Sequence, residues 1–444
     1  MKTSWPVAES TRQTTWATRF QRVGRCVTEA GSCYNPTSAG CCFGHSDRVV
    51  ENRSAQMNQN QIVIFFVSSI FVFLPRNAVP QEPAFTPQSL QEATDRLRDE
   101  MNLVAVGATL LVDGKIVATS VCGRRHQNSD VTVTVDDKWH LGSITKSITA
   151  TATGRLVERG QLSWETPLPE LLPGIATQID KSWNSVTLHH MLTHTAGLPA
   201  NFPVLIQFDW PDNRDALHTR RKEELLTILA QPPASPAGEK FLYSNVGYTL
   251  IGYIAAETAG TTWEALLEKE VFEPLSLKSA GFGAPKGDQP FDQPWGHVRA
   301  LFIRSPMDPR HHSDNTPIMG PAGSVHMSMA DLSRFGWEHL QGENAGLPGE
   351  TGRKFLLNPE TFQKLHRPVK NDYACGWVNA EYDWAAGRVL WHNGSNKMWY
   401  SLLMLIPSKK AVFVVVTNDG HISEAQAEFF KLAETVISRL PVQK

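Results

Sequence analysis

Strand-forming segments near both ends of the globular part of this chain constrain its fold more than any other feature. Leu103–Val112 and Lys115–Val121 are rich in β-branched and apolar residues, and they meet at Asp113-Gly114, a pair typical of a tight hairpin turn. A second pair, Tyr400–Leu405 and Ala411–Thr417, follows near the C-terminus. Because the residues between the two pairs have mainly helical and loop patterns, we predict one antiparallel sheet built from both ends of the chain. The fold class is therefore α/β in the broad sense, of the α+β kind, with an all-helical region inserted.

Helical periodicity marks the segments that should flank this sheet and form the inserted region. Ser89–Met101 precedes the first hairpin and Ile422–Leu440 closes the chain, so that terminal helices are expected to cover the sheet. The other predicted helices are Thr187–Leu192, Val246–Thr258, Trp263–Val271 and Met327–Leu340. Ser328 is the expected N-cap of the last one, with Asp331 in the capping-box position. An extended run is predicted at Val131–Val135.

Composition favours a soluble globular protein without a nucleic-acid partner. The 444 residues carry a formal net charge of −2, and 41% of them are hydrophobic and 19% charged. Regular globular sequence begins near residue 81, and we take residues 81–444 as the functional domain. The leading cysteines lack zinc-site spacing, and the two later ones are expected to be small buried residues. These cysteines are Cys26, Cys33, Cys41 and Cys42, followed by Cys122 and Cys375.

Residues 62–74 form the strongest apolar run of the chain. The run is too short to span a bilayer comfortably and has the length of the apolar region of a signal peptide. Since Met57 lies just before it, we expect translation to start there, with residues 1–56 a misassigned or unstructured extension and residues 57–80 a signal-peptide-like or anchor segment. A short membrane anchor through residues 62–74 and an organellar presequence at Met1 are the alternatives. The expected location is periplasmic or secreted.

Ser143-Ile-Thr-Lys146 is the pattern that points most directly to chemistry. It lies where an extended pattern changes to a helical one, so the serine is expected at a helix start and the lysine one turn later on the same face. Free backbone N–H groups and the positive end of the helix dipole are found at such a position. A Ser-x-x-Lys sequence is expected about once by chance in a chain of this length, so its interpretation depends on its companions.

Two further patterns follow in order. Tyr243-Ser244-Asn245 opens a predicted helix, which would present a phenol and an amide at the start of that element. His392-Asn393-Gly394 stands at the beginning of the C-terminal strand pair, where a glycine permits close approach of another backbone or a ligand. His140-Leu-Gly142 has the same His-x-Gly form, so the third pattern alone carries little weight.

Together the three patterns resemble the penicillin-recognising serine hydrolase superfamily, in its class C β-lactamase-like branch of D,D-carboxypeptidases, D-aminopeptidases and esterases. The resemblance covers roughly Pro83–Leu440 and implies a β-lactamase/transpeptidase-like fold. Supporting segments are Met191-Leu-Thr-His-Thr-Ala-Gly-Leu198, Pro294-Trp-Gly-His297, Gly320-Pro-Ala-Gly323 and Cys375-Gly-Trp377.

This resemblance implies a role for each patterned residue. Ser143 would be the acylated nucleophile, and Lys146 would hold its charge beside Tyr243, lowering the pKa of the phenol so that it relays protons. The backbone N–H groups of Ser143 and Ser395 would form the oxyanion hole. Substrate-binding roles fall to Asn245, Gly394 and Ser395, and His392 would help bind a carboxylate or assist the proton network.

The substrate implied is a small molecule or a peptide with an amide or ester bond. His392 stands where class C β-lactamases have a lysine, and a largely neutral ring suits a carboxylate less well, which favours a peptidase or esterase. A true β-lactamase and a non-catalytic sensor or scaffold are the alternatives. No cofactor or metal is expected, since His189, His190 and His194 lack a placed carboxylate partner and are interpreted as structural. The oligomeric state stays open.

Overall fold

The computed structural model describes residues 84–211, 213–300, 303–311, 313–343 and 354–442. The predicted extension 1–56, the segment 57–80 with its apolar run and the first four cysteines lie outside these residues. Within the described ranges, no helix combines the length and the apolar character needed to cross a bilayer. The strands are β1 (Ala105–Val112), β2 (Lys115–Gly123), β3 (Lys138–His140), β4 (Gly281–Phe282), β5 (Gly296–Ala300), β6 (Ile303–Met307), β7 (Val325–Ser328), β8 (Val378–Tyr382), β9 (Gly387–Ser395), β10 (Tyr400–Ile406) and β11 (Ala411–Thr417).

Helices precede, separate and follow these strands. The α-helices are α1 (Pro87–Glu100), α2 (Thr145–Glu158), α3 (Leu168–Leu171), α4 (Leu188–Leu192), α5 (Arg214–Leu229), α6 (Asn245–Ala259), α7 (Trp263–Leu267), α8 (Gly320–Gly323), α9 (Met329–Gly342), α10 (Pro359–His366) and α11 (Ile422–Ile437). A π-helical turn, Glu268–Phe272, continues α7, and a short 3-10 turn, Gly142–Ile144, precedes α2.

The central sheet has six antiparallel strands in the order β2-β1-β11-β10-β9-β8. The first strand of the chain pairs with the last, with Val106 opposite Thr417 and Val112 opposite Ala411. Both predicted hairpins are present, and the prediction of one sheet built from the two ends of the chain is confirmed. β11 is buried along its whole length, as expected for a near-continuous apolar run covered on both faces.

Alternate residues of the sheet face two different cores. Phe413 and Val415 pack with α1 and α11 on one side, which are the predicted terminal helices. Val412 and Val414 pack on the other side with Phe335 of α9 and with the start of α2. Further residues of α2 join a third core that includes α4, α5 and α6, the inserted helical region. Helix α2 therefore lies between the sheet and the helical region.

The predicted extended run before Ser143 was wrong. Val131–Val135 is not a strand, because Val131 and Val135 are exposed and Asp137 binds both the N–H and the hydroxyl of Thr134 to form a turn. The strand that leads to Ser143 is β3, which pairs with β7 outside the main sheet.

Helix α9 begins with the predicted N-cap, since the Ser328 hydroxyl accepts the Asp331 N–H. The Asp331 carboxylate, however, accepts bonds from the N–H and the hydroxyl of Ser279 instead of closing a capping box. Cys122 and Cys375 are both free thiols, and only Cys375 is fully buried.

Candidate active site

Ser143 lies in the 3-10 turn between β3 and α2. Gly142 takes a φ of +50°, a left-handed conformation that glycine adopts without strain, and this turns the chain sharply out of the strand. The Leu141 N–H binds the carbonyl of Val325, and the Val325 N–H binds the hydroxyl of Thr145, so the turn is fixed to β7 on both sides. Ser143 itself stays partly exposed at the start of a buried helix.

Helix α2 is buried along almost its whole length, and its composition explains how. Its residues after Lys146 are mainly Ser, Thr, Ala and Gly, which let neighbouring elements approach closely. The hydroxyls of Thr151 and Thr153 donate to carbonyls four residues back, and that of Thr149 donates to Pro321. The helix can therefore lie in the interior without orphaned polar groups.

Lys146 is fully buried beneath Ser143, one turn along α2, as the spacing predicted. Its Nζ lies 3.0 Å from Ser143 Oγ and 2.7 Å from both Asn245 Oδ1 and the carbonyl oxygen of Ala322. Burial lowers the pKa of this amine well below its usual value, because the charged form loses its hydration. Burial therefore disfavours the charged form that the resemblance implied for Lys146.

The three partners of Lys146 limit how it can act. Asn245 Oδ1 and the Ala322 carbonyl can only accept, so the amine donates to both. Its third contact is Ser143 Oγ, to which an ammonium would donate and from which a neutral amine would accept through its lone pair. In the neutral form Lys146 would therefore stand as a base beside the nucleophile.

Tyr243 borders the same space. Its ring centroid is 4.8 Å from Lys146 Nζ, and the Ser143 hydroxyl is close enough to act on the pKa of its phenol. Burial raises the pKa of the phenol, against a smaller opposing effect of the Ser143 hydroxyl. This direction is opposite to the expected one, so the phenol keeps its proton at neutral pH and can both donate and accept a hydrogen bond.

The segment before α6 positions Tyr243 and Asn245. Ser244 is the N-cap, because its hydroxyl accepts the Gly247 N–H and donates to the Pro199 carbonyl. Asn245 follows at the first helical position, where its Oδ1 accepts from Lys146 and its Nδ2 donates to Asn201 at 2.7 Å. The predicted helix start at Tyr-Ser-Asn is confirmed.

His392 is buried near the end of β9, not at the beginning of a strand pair, and is 3% exposed. Its Nδ1 donates to the carbonyl of Asn393 at 2.5 Å, and its Nε2 lies 3.2 Å from the Tyr373 hydroxyl. Burial lowers the pKa of the ring to about 3. A buried neutral ring with both nitrogens engaged does not fit the predicted role of binding a substrate carboxylate. Its other predicted role, in the proton network, is compatible with the Tyr373 bond.

The backbone segments around Ser143 and Ser395, whose N–H groups were predicted to form the oxyanion hole, lie against each other. A Cβ on Gly394 would be 2.3 Å from the Ser143 nitrogen, and a Cβ on Gly142 would be 2.2 Å from the Ser395 nitrogen. Only glycine at both positions permits this approach. The Ser395 hydroxyl donates to the Trp399 carbonyl at 2.6 Å and accepts the Lys397 N–H, so its side chain holds the turn while its backbone borders the site.

Some contributors to the site had no usable sequence signal. The Ala322 carbonyl binds Lys146, and only the Gly-Pro-Ala-Gly segment around it drew attention. His194 accepts the Ser244 N–H at 3.1 Å and packs under Tyr243 with ring centroids 4.3 Å apart, so it supports the tyrosine from behind. His190, by contrast, bonds to Thr187 at the start of α4.

Comparison with known proteins identifies the family of this chain. Residues 90–436, well over half of the chain, match the family model described as Beta-lactamase. The chain belongs to the beta-lactamase family. Family membership and the Ser143–Lys146 pair agree with a serine hydrolase in general, and the predicted superfamily is confirmed.

Relatives of this beta-lactamase family member differ in their described activities. Penicillin-binding protein 4 of Amycolatopsis lactamdurans is 26% identical over 79% of this chain and 91% of its own length. The D-alanyl-D-alanine-carboxypeptidase/endopeptidase AmpH of Escherichia coli K12 is 24% identical over 76% of this chain and 86% of its own length. A solved class C beta-lactamase, 19% identical, covers 81% of this chain and 98% of its own with a TM-score of 0.64, which confirms the fold.

Proposed function

We propose that this protein is a serine hydrolase that cleaves an ester or amide through a covalent acyl-enzyme on Ser143. The observation that carries the proposal is the fully buried Lys146 amine, which lies 3.0 Å from Ser143 Oγ while its two other partners are acceptors. A buried base with a lowered pKa, held beside a hydroxyl, can take its proton at neutral pH. A binding scaffold has no need of this arrangement.

The proposed first step is addition of Ser143 to the substrate carbonyl. The Oγ–carbon bond forms as the hydroxyl proton moves to the Lys146 lone pair, and the electron pair of the carbonyl π bond goes to its oxygen. The backbone N–H groups of Ser143 and Ser395, which the close Gly142–Gly394 contact brings together, are the donors proposed to stabilise that oxygen.

Collapse of this intermediate completes acylation. The electron pair returns to the carbonyl, the bond to the leaving group breaks, and the departing alcohol or amine takes a proton that originates from the Lys146 ammonium. Tyr243, whose protonated hydroxyl borders Ser143 and Lys146, is the proposed carrier. Water then attacks the ester carbonyl of the acyl-enzyme with the same groups in reverse roles, which releases the acid and restores Ser143.

The preferred substrates are esters and amides without a carboxylate that must be held by residue 392, because the His392 ring is neutral and already bonded on both sides. A second candidate is a penicillin-binding D,D-carboxypeptidase, which the similarity to penicillin-binding protein 4 and to AmpH favours. A periplasmic or secreted location suits either candidate and remains part of the proposal.

Covalent labelling tests acylation. A fluorophosphonate probe and a fluorescent penicillin are incubated with wild type, Ser143→Ala, Lys146→Ala and Ser147→Ala. Ser147 is a matched control, because it lies on the same helix and its hydroxyl donates to the Gly376 carbonyl instead of bonding to the Lys146 amine. We expect labelling of wild type and Ser147→Ala and none of the other two; well-folded wild type that neither probe labels would contradict the proposal.

Turnover separates the candidate activities. p-Nitrophenyl esters, D-amino-acid amides, D-Ala-D-Ala peptides and nitrocefin are compared by kcat/KM with the same preparation. Preference for neutral esters or amides supports the first candidate, and preference for the carboxylated D-Ala-D-Ala peptide supports the second. Nitrocefin as the best substrate would show a true β-lactamase and refute the inference drawn from His392.

A further inference from the structure

A buried trio of polar side chains lies behind the proposed oxyanion hole without contacting the proposed nucleophile or its base. It consists of His140 at the end of β3, Asp314 in the segment before α8, and Asn396 just after β9, which we call the hole bridge. The side chains of His140 and Asp314 are 0% and 3% exposed, and Asn396 is 4% exposed. Charged and polar groups this deeply buried are costly unless they are bonded, so each bond in the trio is informative.

The hole bridge is bonded from end to end. His140 Nε2 lies 2.9 Å from Asp314 Oδ2, and Asn396 Nδ2 donates to Asp314 Oδ1 at 2.8 Å. At one end, His140 Nδ1 accepts the Gly142 N–H at 3.1 Å, one residue before Ser143. At the other end, Asn396 Oδ1 accepts the N–H groups of Met398 and Trp399 at 3.1 Å each. One continuous chain of bonds thus joins the turn before Ser143 to the turn after Ser395.

The proton positions along this chain follow from the donors and acceptors present. Gly142 N–H can only donate, so His140 Nδ1 must supply a lone pair and its Nε2 carries the hydrogen, which points at the Asp314 carboxylate. Asn396 must face Asp314 with its amide nitrogen, because its amide oxygen accepts hydrogen bonds from two backbone N–H groups. Asp314 must therefore accept at both oxygens, and a carboxylate does so where an amide cannot.

We propose that His140, Asp314 and Asn396 are positioning residues that set the Ser143 and Ser395 backbone amides at the mutual distance and direction that oxyanion binding requires. The inference rests on the proposed function and adds three residues to it. Backbone contact between Gly142 and Gly394 fixes how closely the two segments approach, and the hole bridge fixes their orientation. The stacking of His140 on Trp399, with ring centroids 5.6 Å apart, and the bond from the Ser401 hydroxyl to the His140 carbonyl add to the same connection.

Asp314→Asn is the most specific perturbation, because it keeps the shape of the side chain at position 314 and replaces one acceptor oxygen by a donor NH2 group. Its amide hydrogens would face either the His140 Nε2–H or the Asn396 amide, and each choice sets donor against donor. Hydrolysis of p-nitrophenyl butyrate should lose about 10- to 100-fold in kcat with KM within about twofold of wild type, since a misplaced oxyanion donor affects the transition state more than substrate binding. A merely structural role would lower the amount of enzyme that the fluorophosphonate probe labels, while kcat per labelled site stayed at the wild-type value.

His140 variants test the two ends separately. His140→Asn places an amide oxygen near the former Nδ1, keeps the acceptor for Gly142 and should retain more kcat than His140→Leu, which keeps neither bond. His326→Asn is the matched control: His326 pairs with His140 across β3 and β7, is likewise buried, and its Nδ1 bonds to the Gly283 carbonyl away from the hole. Its kcat should match wild type even where its unfolding temperature falls.

The outcomes separate the two proposals. If wild type hydrolyses the ester and is labelled at Ser143 while Asp314→Asn and His140→Leu keep wild-type kcat, the positioning role is refuted and the proposed function stands. If wild type is neither labelled nor active, the proposed function itself fails. Should Asp314→Asn not fold, the order of kcat in wild type, His140→Asn and His140→Leu decides; equal values in all three would overturn the inference.

Discussion

Substitution of Asn245 by Asp tests whether Lys146 acts as a neutral base. Asn245 Oδ1 lies 2.7 Å from Lys146 Nζ, inside the site and adjacent to a fully buried amine. An aspartate of almost the same shape keeps the acceptor and adds a negative charge. The ammonium form of Lys146 is then stabilised by an opposite charge, and the pKa of the amine rises from its lowered value.

The size of this rise can be worked out from the geometry. Two unit charges about 4 Å apart attract by about 4 kcal/mol at an effective dielectric constant of 20. Since 1.36 kcal/mol corresponds to one pKa unit, the upper limit is about three units. Residue 245 is partly exposed, and solvent screening reduces the effect to about one to two units. The deprotonated base then appears only at a correspondingly higher pH.

The assay is the second-order rate of fluorophosphonate labelling as a function of pH, which reports ionisations of the free enzyme. The alkaline-rising limb should move up by at least one pH unit in Asn245→Asp, with about tenfold slower labelling for each unit at pH values below the limbs of both enzymes. Asn201→Asp is the control, because Asn201 is exposed and one hydrogen bond further from Lys146. A limb unmoved in Asn245→Asp, or moved equally in both variants, would refute the assignment of Lys146 as the base.

Three further predictions concern packing and charge. Gly394→Ala would place a Cβ 2.0 Å from the Leu141 carbonyl oxygen, so at least a tenfold loss of labelling and a lower unfolding temperature are expected; wild-type values would contradict the close contact. Glu264→Gln leaves the fully buried Arg221 guanidinium, 2.7 Å away, without its counter-charge, and urea denaturation should show a loss of about 3–5 kcal/mol. Burial lowers the pKa of His297 to about 4, so its ring is neutral when folded but protonated when unfolded between pH 6.5 and 4. Through this ring alone the unfolding free energy should therefore fall by up to about 1.4 kcal/mol per pH unit as pH drops through that window, and His297→Gln should reduce the measured slope by that amount.

Four of the six strands of the main sheet, but not β8 and β9, could be predicted because those four carry their signal locally. β10 and β11 are apolar runs flanking a turn, and the β1–β2 hairpin has Asp-Gly at its tip, so each pair is visible without knowledge of the other. The small sheet of β3, β7 and β4 was missed, since its strands are two to four residues long and pair across long sequence separations. No local periodicity can show that kind of pairing.

The residues of the candidate site were likewise predicted only in part. Ser143, Lys146, Tyr243 and Asn245 lie together as their short patterns predicted, because spacing within one helix turn or at one helix start determines direction. The Ala322 carbonyl and Asp314 were not predicted, since a backbone oxygen and a lone aspartate have no pattern. No role was predicted for the His140-Leu-Gly142 segment, but the structure shows that His140 is bonded to the turn before Ser143.

Burial distinguishes this Ser-x-x-Lys from one that occurs by chance. An exposed lysine at the same spacing would remain an ammonium and could not take the serine proton, so the chemistry depends on how completely Lys146 is enclosed. The enclosure comes from close packing around α2: on α6, a Cβ at Gly252 would lie 2.5 Å from Pro321, next to the Ala322 carbonyl that binds Lys146. A larger residue at position 252 would push that carbonyl away, admit water and raise the pKa of Lys146 toward its solution value. Gly252, far from Ser143 in sequence, therefore contributes to the enclosure of Lys146, and Gly252→Val should shift the labelling limb to higher pH without altering any residue of the motif.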